Sequence, residues 1–173
     1  MKPDTAILKG NDFYIPEFST DVHYELELVL KISKGGKYIP KDHAAKHFDE
    51  IALGIDFTAR DLQSELKSKG LPWEIAKGFD GSAVISPFFP KSDFNLSELH
   101  FELKKNKETV QQGNTQLMMY SPEDLIAYVS QFFTLRVGDL LFTGTPKGVG
   151  KVVENDNLEA FLEGKKVMDL RIC

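Results

Sequence analysis

The sequence predicts a β-rich α+β domain, and three observations carry that prediction. Many short stretches set apolar residues at every second position, only three stretches combine helical spacing with capping residues, and turn-forming residues close most of the gaps between them. At 173 residues the chain suits one domain, 1–173, with a core of ordinary size. Its net charge of −5 comes without any Lys/Arg stripe, which argues against nucleic acid as a partner. No apolar run approaches the roughly 20 residues of a membrane span. Met1-Lys2-Pro3-Asp4 has no apolar signal-peptide core, so a cytoplasmic protein with no membrane partner is expected. The single cysteine is Cys173. That leaves no disulfide framework, thiolate metal site or Cys nucleophile, so any metal must be held by oxygen or imidazole.

In chain order, Thr5–Leu8 and Phe13–Ile15 are short apolar runs around Gly10-Asn11-Asp12, the composition of a hairpin turn between edge strands. Val22–Ser33 reads as one long strand closed by Gly35-Gly36, a turn that lets Lys37, Tyr38 and Ile39 pair back. Asp42–Phe48 reads as a short helix with Asp42 as N-cap; His43 and His47 stand at i and i+4 without a third ligand, which makes this a solvated helix. Ile51–Phe57 is a nearly continuous apolar strand. Thr58-Ala59-Arg60-Asp61 is a capping box opening an amphipathic helix to about Lys69, stopped by Gly70.

Ala83–Phe89 reads as a strand ended by Pro90. Glu98–Lys104 sets Leu99, Phe101 and Leu103 inward and His100 outward, then turns at Asn106-Lys107 into Glu108–Gln112. Ser121-Pro122-Glu123-Asp124 starts a helix that ends near Thr134. Val137-Gly138-Asp139 turns into the strand Leu140–Thr143. Gly144 to Lys151 has the composition of a phosphate-binding loop, but the spacing is one residue too long, Val152 stands where Ser or Thr belongs, and turn and strand follow. Strands Asn157–Leu162 and Lys166–Ile172, joined by Glu163-Gly164-Lys165, finish the chain.

The chemistry concentrates in His23-Tyr24-Glu25-Leu26-Glu27-Leu28-Val29-Leu30. Alternate positions from Val22 to Ile32 are apolar, so Glu25 and Glu27 point to the same side, about 7 Å apart. Such a pair is either a solvated outer face or two parts of a cation site. Asp56, near the end of an apolar strand, is costly to desolvate alone and must either cap the following helix or act as a ligand. Thr58 is placed to do the capping, which leaves Asp56 over. Lys77, between small residues and glycines, has an ordinary surface lysine as its plainest reading.

Taken together and in this order, five segments resemble the fumarylacetoacetate hydrolase family: Lys2-Pro3-Asp4-Thr5-Ala6, His23-Tyr24-Glu25-Leu26-Glu27-Leu28, Gly54-Ile55-Asp56-Phe57-Thr58-Ala59-Arg60-Asp61, Gly70-Leu71-Pro72-Trp73-Glu74-Ile75-Ala76-Lys77 and Phe142-Thr143-Gly144-Thr145-Pro146-Lys147-Gly148-Val149-Gly150. The branch resembled is that of acylpyruvate hydrolases, oxaloacetate decarboxylases and 2-hydroxyhepta-2,4-diene-1,7-dioate isomerases. The resemblance implies a mixed β-roll, a homodimer, and one Mg²⁺ or Mn²⁺ held by Glu25, Glu27 and Asp56. It also implies that Lys77, Thr145 and the backbone at Gly144, with Gln63, face a small 2-oxo acid or dicarboxylate substrate. Three carboxylates are a hard oxygen set that suits either ion and does not suit zinc. The implied activity is enolate chemistry: acylpyruvate hydrolysis, oxaloacetate decarboxylation or isomerisation of the dienedioate, with Lys77 placing positive charge beside the substrate oxygens.

Members of this branch begin with a further segment that carries a His and a Glu, closes over the site and supplies the base that activates water. The sequence starts after that segment, and none of His23, His43, His47 and His100 stands in its pattern. His23 shares a strand face with Glu25, as a base or as a packing residue. The expectation is a metal-binding core with impaired hydrolysis and surviving decarboxylation, and the alternative is a truncated, non-catalytic or impaired metal-binding member.

Overall fold

The computed structural model describes residues 1–173. A 3₁₀ turn at Asp4–Ala6 leads into β1 (Asp12–Phe13), β2 (Val22–Tyr24) and β3 (Leu26–Ile32). Helix α1 (Lys41–Ala44) runs through a 3₁₀ turn into β4 (Phe48–Asp56), followed by β5 (Thr58–Ala59) and α2 (Arg60–Ser68). A 3₁₀ turn at Glu74–Ala76 precedes β6 (Ala83–Ile85), β7 (Phe89–Pro90), β8 (His100–Lys105) and β9 (Glu108–Asn114). The chain ends with α3 (Pro122–Phe132), β10 (Leu140–Phe142), β11 (Gly150–Lys151), β12 (Asn157–Leu162) and β13 (Lys165–Ile172).

The strands form three sheets, β10-β3-β4-β6 with β7 also on β4, β1-β13-β12-β8-β9, and β11-β2-β5. All named pairs are antiparallel except β1 with β13, which makes the roll mixed. The fold is thus β-rich α+β, as the alternation predicts. Leu26, Leu28, Leu30 and Ile32 of β3 and Ile51, Leu53 and Ile55 of β4 fill the core, joined from the second sheet by Leu103, Leu158, Ala160, Leu170 and Ile172. No helix is long and apolar enough to cross a membrane.

Several local expectations hold for the physical reasons given. Asn106 and Lys107 take φ of 52° and 74°, the left-handed pair that a two-residue hairpin needs between β8 and β9. The Ser121 hydroxyl accepts from the Asp124 N–H while the Asp124 carboxylate accepts from the Ser121 N–H, a complete capping box at the start of α3.

Others are corrected. The first two apolar runs do not form a hairpin: Ile7 bridges to Ala83, while Asp12 and Phe13 pair in parallel with Arg171 and Ile172, so each run is drawn to a different sheet. Val22–Ser33 is two strands, broken at Glu25. Lys37–Ile39 do not pair back on β3; the Tyr38 and Ile39 N–H groups bond the carbonyl and hydroxyl of Ser130 in α3. The N-cap of α1 is Pro40, with no side-chain cap at Asp42. His47 is buried rather than solvated, its Nδ1 2.7 Å from the Lys34 carbonyl, because the 3₁₀ turn tips it beneath residues 33–36. Ala83–Phe89 is also two strands, and Pro90 lies within the second. Between them Ser86 bonds Leu53 through both its hydroxyl and its N–H, at 3.0 and 2.9 Å.

Candidate metal centre

The site forms where β2 passes into β3. At the break the Leu26 N–H turns to Gln111 Oε1 at 2.9 Å, and the Glu25 carbonyl accepts from the Asp56 N–H at 2.8 Å. The strand therefore leaves one sheet and enters another with Glu25 at the corner. Glu27 lies opposite Gly54 on β4, and Asp56, two residues further along, shares that face. Ligand oxygens of Glu25, Glu27 and Asp56 all lie within 4.8 Å of one another.

Three cations surround them. Lys77 Nζ is 2.7 Å from Glu25 Oε2 and 3.0 Å from Asp56 Oδ2. The Arg60 guanidinium, at the start of α2, is paired with Glu25 Oε1. Lys2 Nζ lies 2.9 Å from Asp56 Oδ1, donates to Ser82 Oγ at 2.8 Å and bonds the Lys77 carbonyl, so it also ties down the segment that carries Lys77. Asp56 Oδ1 nevertheless has no well-directed hydrogen bond, although it is buried. Three buried carboxylates whose oxygens converge, one of them held by an ion pair alone, are the donor chemistry of a hard divalent cation, so these residues fit Mg²⁺ or Mn²⁺.

Burial pushes the Glu27 carboxyl up to about 7, aided by the negative charge of Asp56 and opposed by the Gly144 N–H and Lys77. Burial works against charge at Glu25 too, but there the Lys77 ammonium and the Arg60 guanidinium outweigh it and hold the carboxyl below its ordinary value. Burial lowers the Lys2 ammonium from its usual value, with Asp56 opposing.

The remaining sequence-predicted residues fall around this cluster in different roles. The Gly144 N–H donates to Glu27 Oε2 at 2.6 Å. The Thr145 hydroxyl donates to the Leu26 carbonyl at 2.8 Å and accepts from Gln111 Nε2 at 2.9 Å, which fixes its loop at the strand break. Gln63 accepts from the Arg60 guanidinium at 2.6 Å and so reaches the carboxylates only through Arg60. Thr58 is no helix cap: it lies in β5, its hydroxyl 3.3 Å from Glu25 Oε1, and the N-cap of α2 is Ala59, which offers no side-chain cap. His23 Nε2 sits 3.1 Å from Asp21 Oδ1, while its Nδ1 is buried without a partner. Sequence reasoning assigned no role to Lys2, Arg60 or Gln111. The first two stand in the segments quoted above, but only the fold brings residues 2, 60 and 111 to one corner.

The whole arrangement can be compared with known proteins. The model of the fumarylacetoacetate hydrolase C-terminal domain matches residues 1–172. Mouse mitochondrial oxaloacetate tautomerase FAHD1 is 41% identical over 174 residues, covering 99% of this chain and 79% of the relative. Oxaloacetate tautomerase YcgM of Escherichia coli K12 is 37% identical over 167 residues, 95% of this chain and 76% of its own. The crystal structure of fumarylpyruvate hydrolase from Pseudomonas aeruginosa, in complex with Mn²⁺ and pyruvate, superposes with a TM-score of 0.93 at 36% identity, covering 99% of this chain and 76% of that one. The 2-hydroxyhepta-2,4-diene-1,7-dioate isomerase of Mycobacterium marinum gives 0.89 at 30% identity, covering 99% of this chain and 66% of that one. With the model match nearly end to end and the same fold under substantial identity, the chain belongs to the fumarylacetoacetate hydrolase family.

Proposed function

We propose that the protein is a divalent-metal-dependent enzyme acting on small 2-oxo acids, with Mg²⁺ or Mn²⁺ held by Glu25, Glu27 and Asp56. The observation that carries this is the convergence of those three buried carboxylates, with ligand oxygens all within 4.8 Å of one another. When bound, the ion supplies Lewis acidity toward the oxygens of the 2-oxo acid. Lys77 Nζ, beside Glu25 and Asp56, places positive charge where negative charge develops as a proton or a carbon substituent leaves C3. The Gly144 N–H orients Glu27, and the neighbouring Thr145 N–H, bonded to no protein acceptor, is free for the substrate carboxylate. Gln63 steadies Arg60, and Arg60 steadies Glu25.

The compounds named for the relatives share a 2-oxo acid end or its enol form, so movement of a proton at C3 is the step they have in common. Hydrolysis, decarboxylation and isomerisation each draw on it. The cytoplasmic placement and the homodimer belong to the same proposal. Leu117 and Met119, 83% and 92% exposed, and Tyr128 and Phe132 on α3 leave apolar surface for a second copy. Sedimentation equilibrium is expected to give twice the mass of one chain, and Met119→Asp to shift it toward one.

One feature of the site favours a second reading. Lys2, Lys77 and Arg60 balance the three carboxylates charge for charge, as a metal-free structural cluster would. In that reading the chain is a non-catalytic member of the family. Titrating Mn²⁺ with oxalate present separates the two. Binding is expected in the wild type and weakened by about 100-fold in Glu25→Gln and in Asp56→Asn. No binding, or binding unchanged in both variants, would remove the enzyme.

A further inference from the structure

Gln111 closes a hydrogen-bond circuit at the edge of the carboxylate cluster. Its side chain is 1% exposed and comes from β9, which contributes no carboxylate to that cluster. Oε1 accepts the Leu26 N–H at 2.9 Å, and Nε2 donates to Thr145 Oγ1 at 2.9 Å and to the Pro146 carbonyl at 3.0 Å. The amide sits only this way round, because the Leu26 N–H can only donate and the Pro146 carbonyl can only accept. Thr145 Oγ1 must then accept from the amide, and its one proton goes to the Leu26 carbonyl at 2.8 Å. The hydroxyl has no proton left for a ligand. The donor that Thr145 still offers is its backbone N–H, which bonds no protein acceptor.

The loop that carries this N–H is held in two halves. On the β10 side the Thr143 N–H and hydroxyl both donate to the Leu28 carbonyl, at 3.1 and 3.0 Å, and the Gly144 N–H donates to Glu27 Oε2. From Thr145 onward the hold passes to β9. Gln111 takes Thr145 and Pro146, and Gly148 lies so close to the strand that a Cβ there would run into the Val110 carbonyl oxygen. The first half orients a metal ligand, and the second orients a free donor.

We propose that Gln111 is a positioning residue for the carboxylate of the bound ligand. Through Thr145 and Pro146 it sets the Thr145 N–H, next along the chain from the N–H that holds Glu27, without itself touching metal or ligand. The inference rests on the 2-oxo acid reading above. It assigns Gln111 to the ligand half of the site alone, since the metal half is held from Thr143 and Gly144.

The test is a split between two affinities. Mn²⁺ is titrated alone, and oxalate, which presents the carboxylate of a 2-oxo acid, is titrated into the Mn²⁺-loaded protein. Gln111→Met keeps the length of the side chain without its amide, while Gln111→Glu keeps the acceptor for Leu26 and loses both donors to the loop. Each is expected to bind oxalate about tenfold more weakly while Mn²⁺ affinity stays within about threefold of wild type. Gln112→Ala, at the exposed neighbouring position, is expected to leave both unchanged. A merely structural glutamine would lower the urea midpoint and leave the oxalate affinity of the folded protein where it was; that result, or an equal loss in both affinities, would overturn the proposal. Thr145→Val breaks the same circuit from its half-buried end and keeps the backbone N–H, so it carries the test even where a Gln111 variant does not fold. It is expected to weaken oxalate about tenfold with Mn²⁺ little moved, and unchanged oxalate affinity there overturns the proposal. Combined with Gln111→Met it should add less than about a further threefold, whereas two losses that multiply in full would show that the residues act separately. Failure of Mn²⁺ itself to bind the wild type removes the metal reading, and this inference with it.

Discussion

Gly144 takes φ of +99°, a region that L side chains rarely adopt, and from there its N–H reaches Glu27 Oε2 at 2.6 Å. No atom would lie within 4 Å of an added Cβ, so the glycine is required by conformation and not by crowding. Gly144→Ala is therefore expected to cost only about 1 kcal/mol of global stability. It should turn the N–H away from Glu27 and weaken Mn²⁺ binding about tenfold, as loss of an orienting hydrogen bond does. Equilibrium urea unfolding and Mn²⁺ titration of the variant check the two halves separately. Lys2 teaches a related lesson. Its ammonium is buried among Asp56, Ser82 and the Lys77 carbonyl, yet in sequence it is one more lysine near a terminus. The partners that define it are 54 to 80 positions away, and no local pattern encodes them.

At the scale of elements, Gln111 on β9 decides where β2 stops and β3 starts. It is 1% exposed, accepts from the Leu26 N–H and donates to Thr145 Oγ1 and the Pro146 carbonyl. Gln111→Ala leaves those buried groups unsatisfied and is expected to cost about 2–3 kcal/mol in urea unfolding. A loss below about 0.5 kcal/mol would show that other groups or water take over these bonds. By contrast Ser121→Ala removes one cap hydrogen bond from α3 and is expected to cost about 1 kcal/mol. These two residues also mark what was legible. The capping box and the Asn106-Lys107 turn were, because each is closed by residues a few positions apart. The break at Glu25 was not: the apolar alternation runs through it from Val22 to Ile32, and the bond that diverts the chain comes from 85 residues away. Thr58 misled for the same reason, since its sequence neighbours spell a cap while the sheet recruits it beside Glu25.

At the scale of the whole molecule, the three carboxylates were readable as candidates because a carboxylate in an apolar strand asks for a partner. Their convergence depends on two sheets meeting where β2 passes into β3. The second sheet is held to its neighbour by another buried acid. Asp156, 5% exposed, accepts from the Val153 N–H at 2.9 Å and the Asn106 amide at 2.7 Å, with Lys105 Nζ at 3.3 Å. Its carbonyl also receives the Ile172 N–H at 2.8 Å, so one residue joins the β8–β9 turn, the segment after β11 and the end of β13. Burial raises the cost of its charge, but the Val153 N–H, the Asn106 amide and the Lys105 ammonium overcome this and hold the carboxyl below its ordinary value. A carboxyl depressed in the folded state stabilises the fold fully above its unfolded value, about 3.9, and progressively less as pH falls through the lower folded value. Asp156→Asn is therefore expected to lose about 2 kcal/mol at pH 7 relative to wild type. That gap should begin to narrow as pH falls below about 4, where the unfolded acid takes up its proton, and close only as the folded carboxyl is protonated at its lower value. Urea midpoints of the two proteins followed from about pH 7 down to about pH 2, through and below the unfolded carboxyl value, test this. A gap that stays constant across the range would place the role of Asp156 in shape and hydrogen bonding alone, with its charge contributing nothing to holding the sheets together.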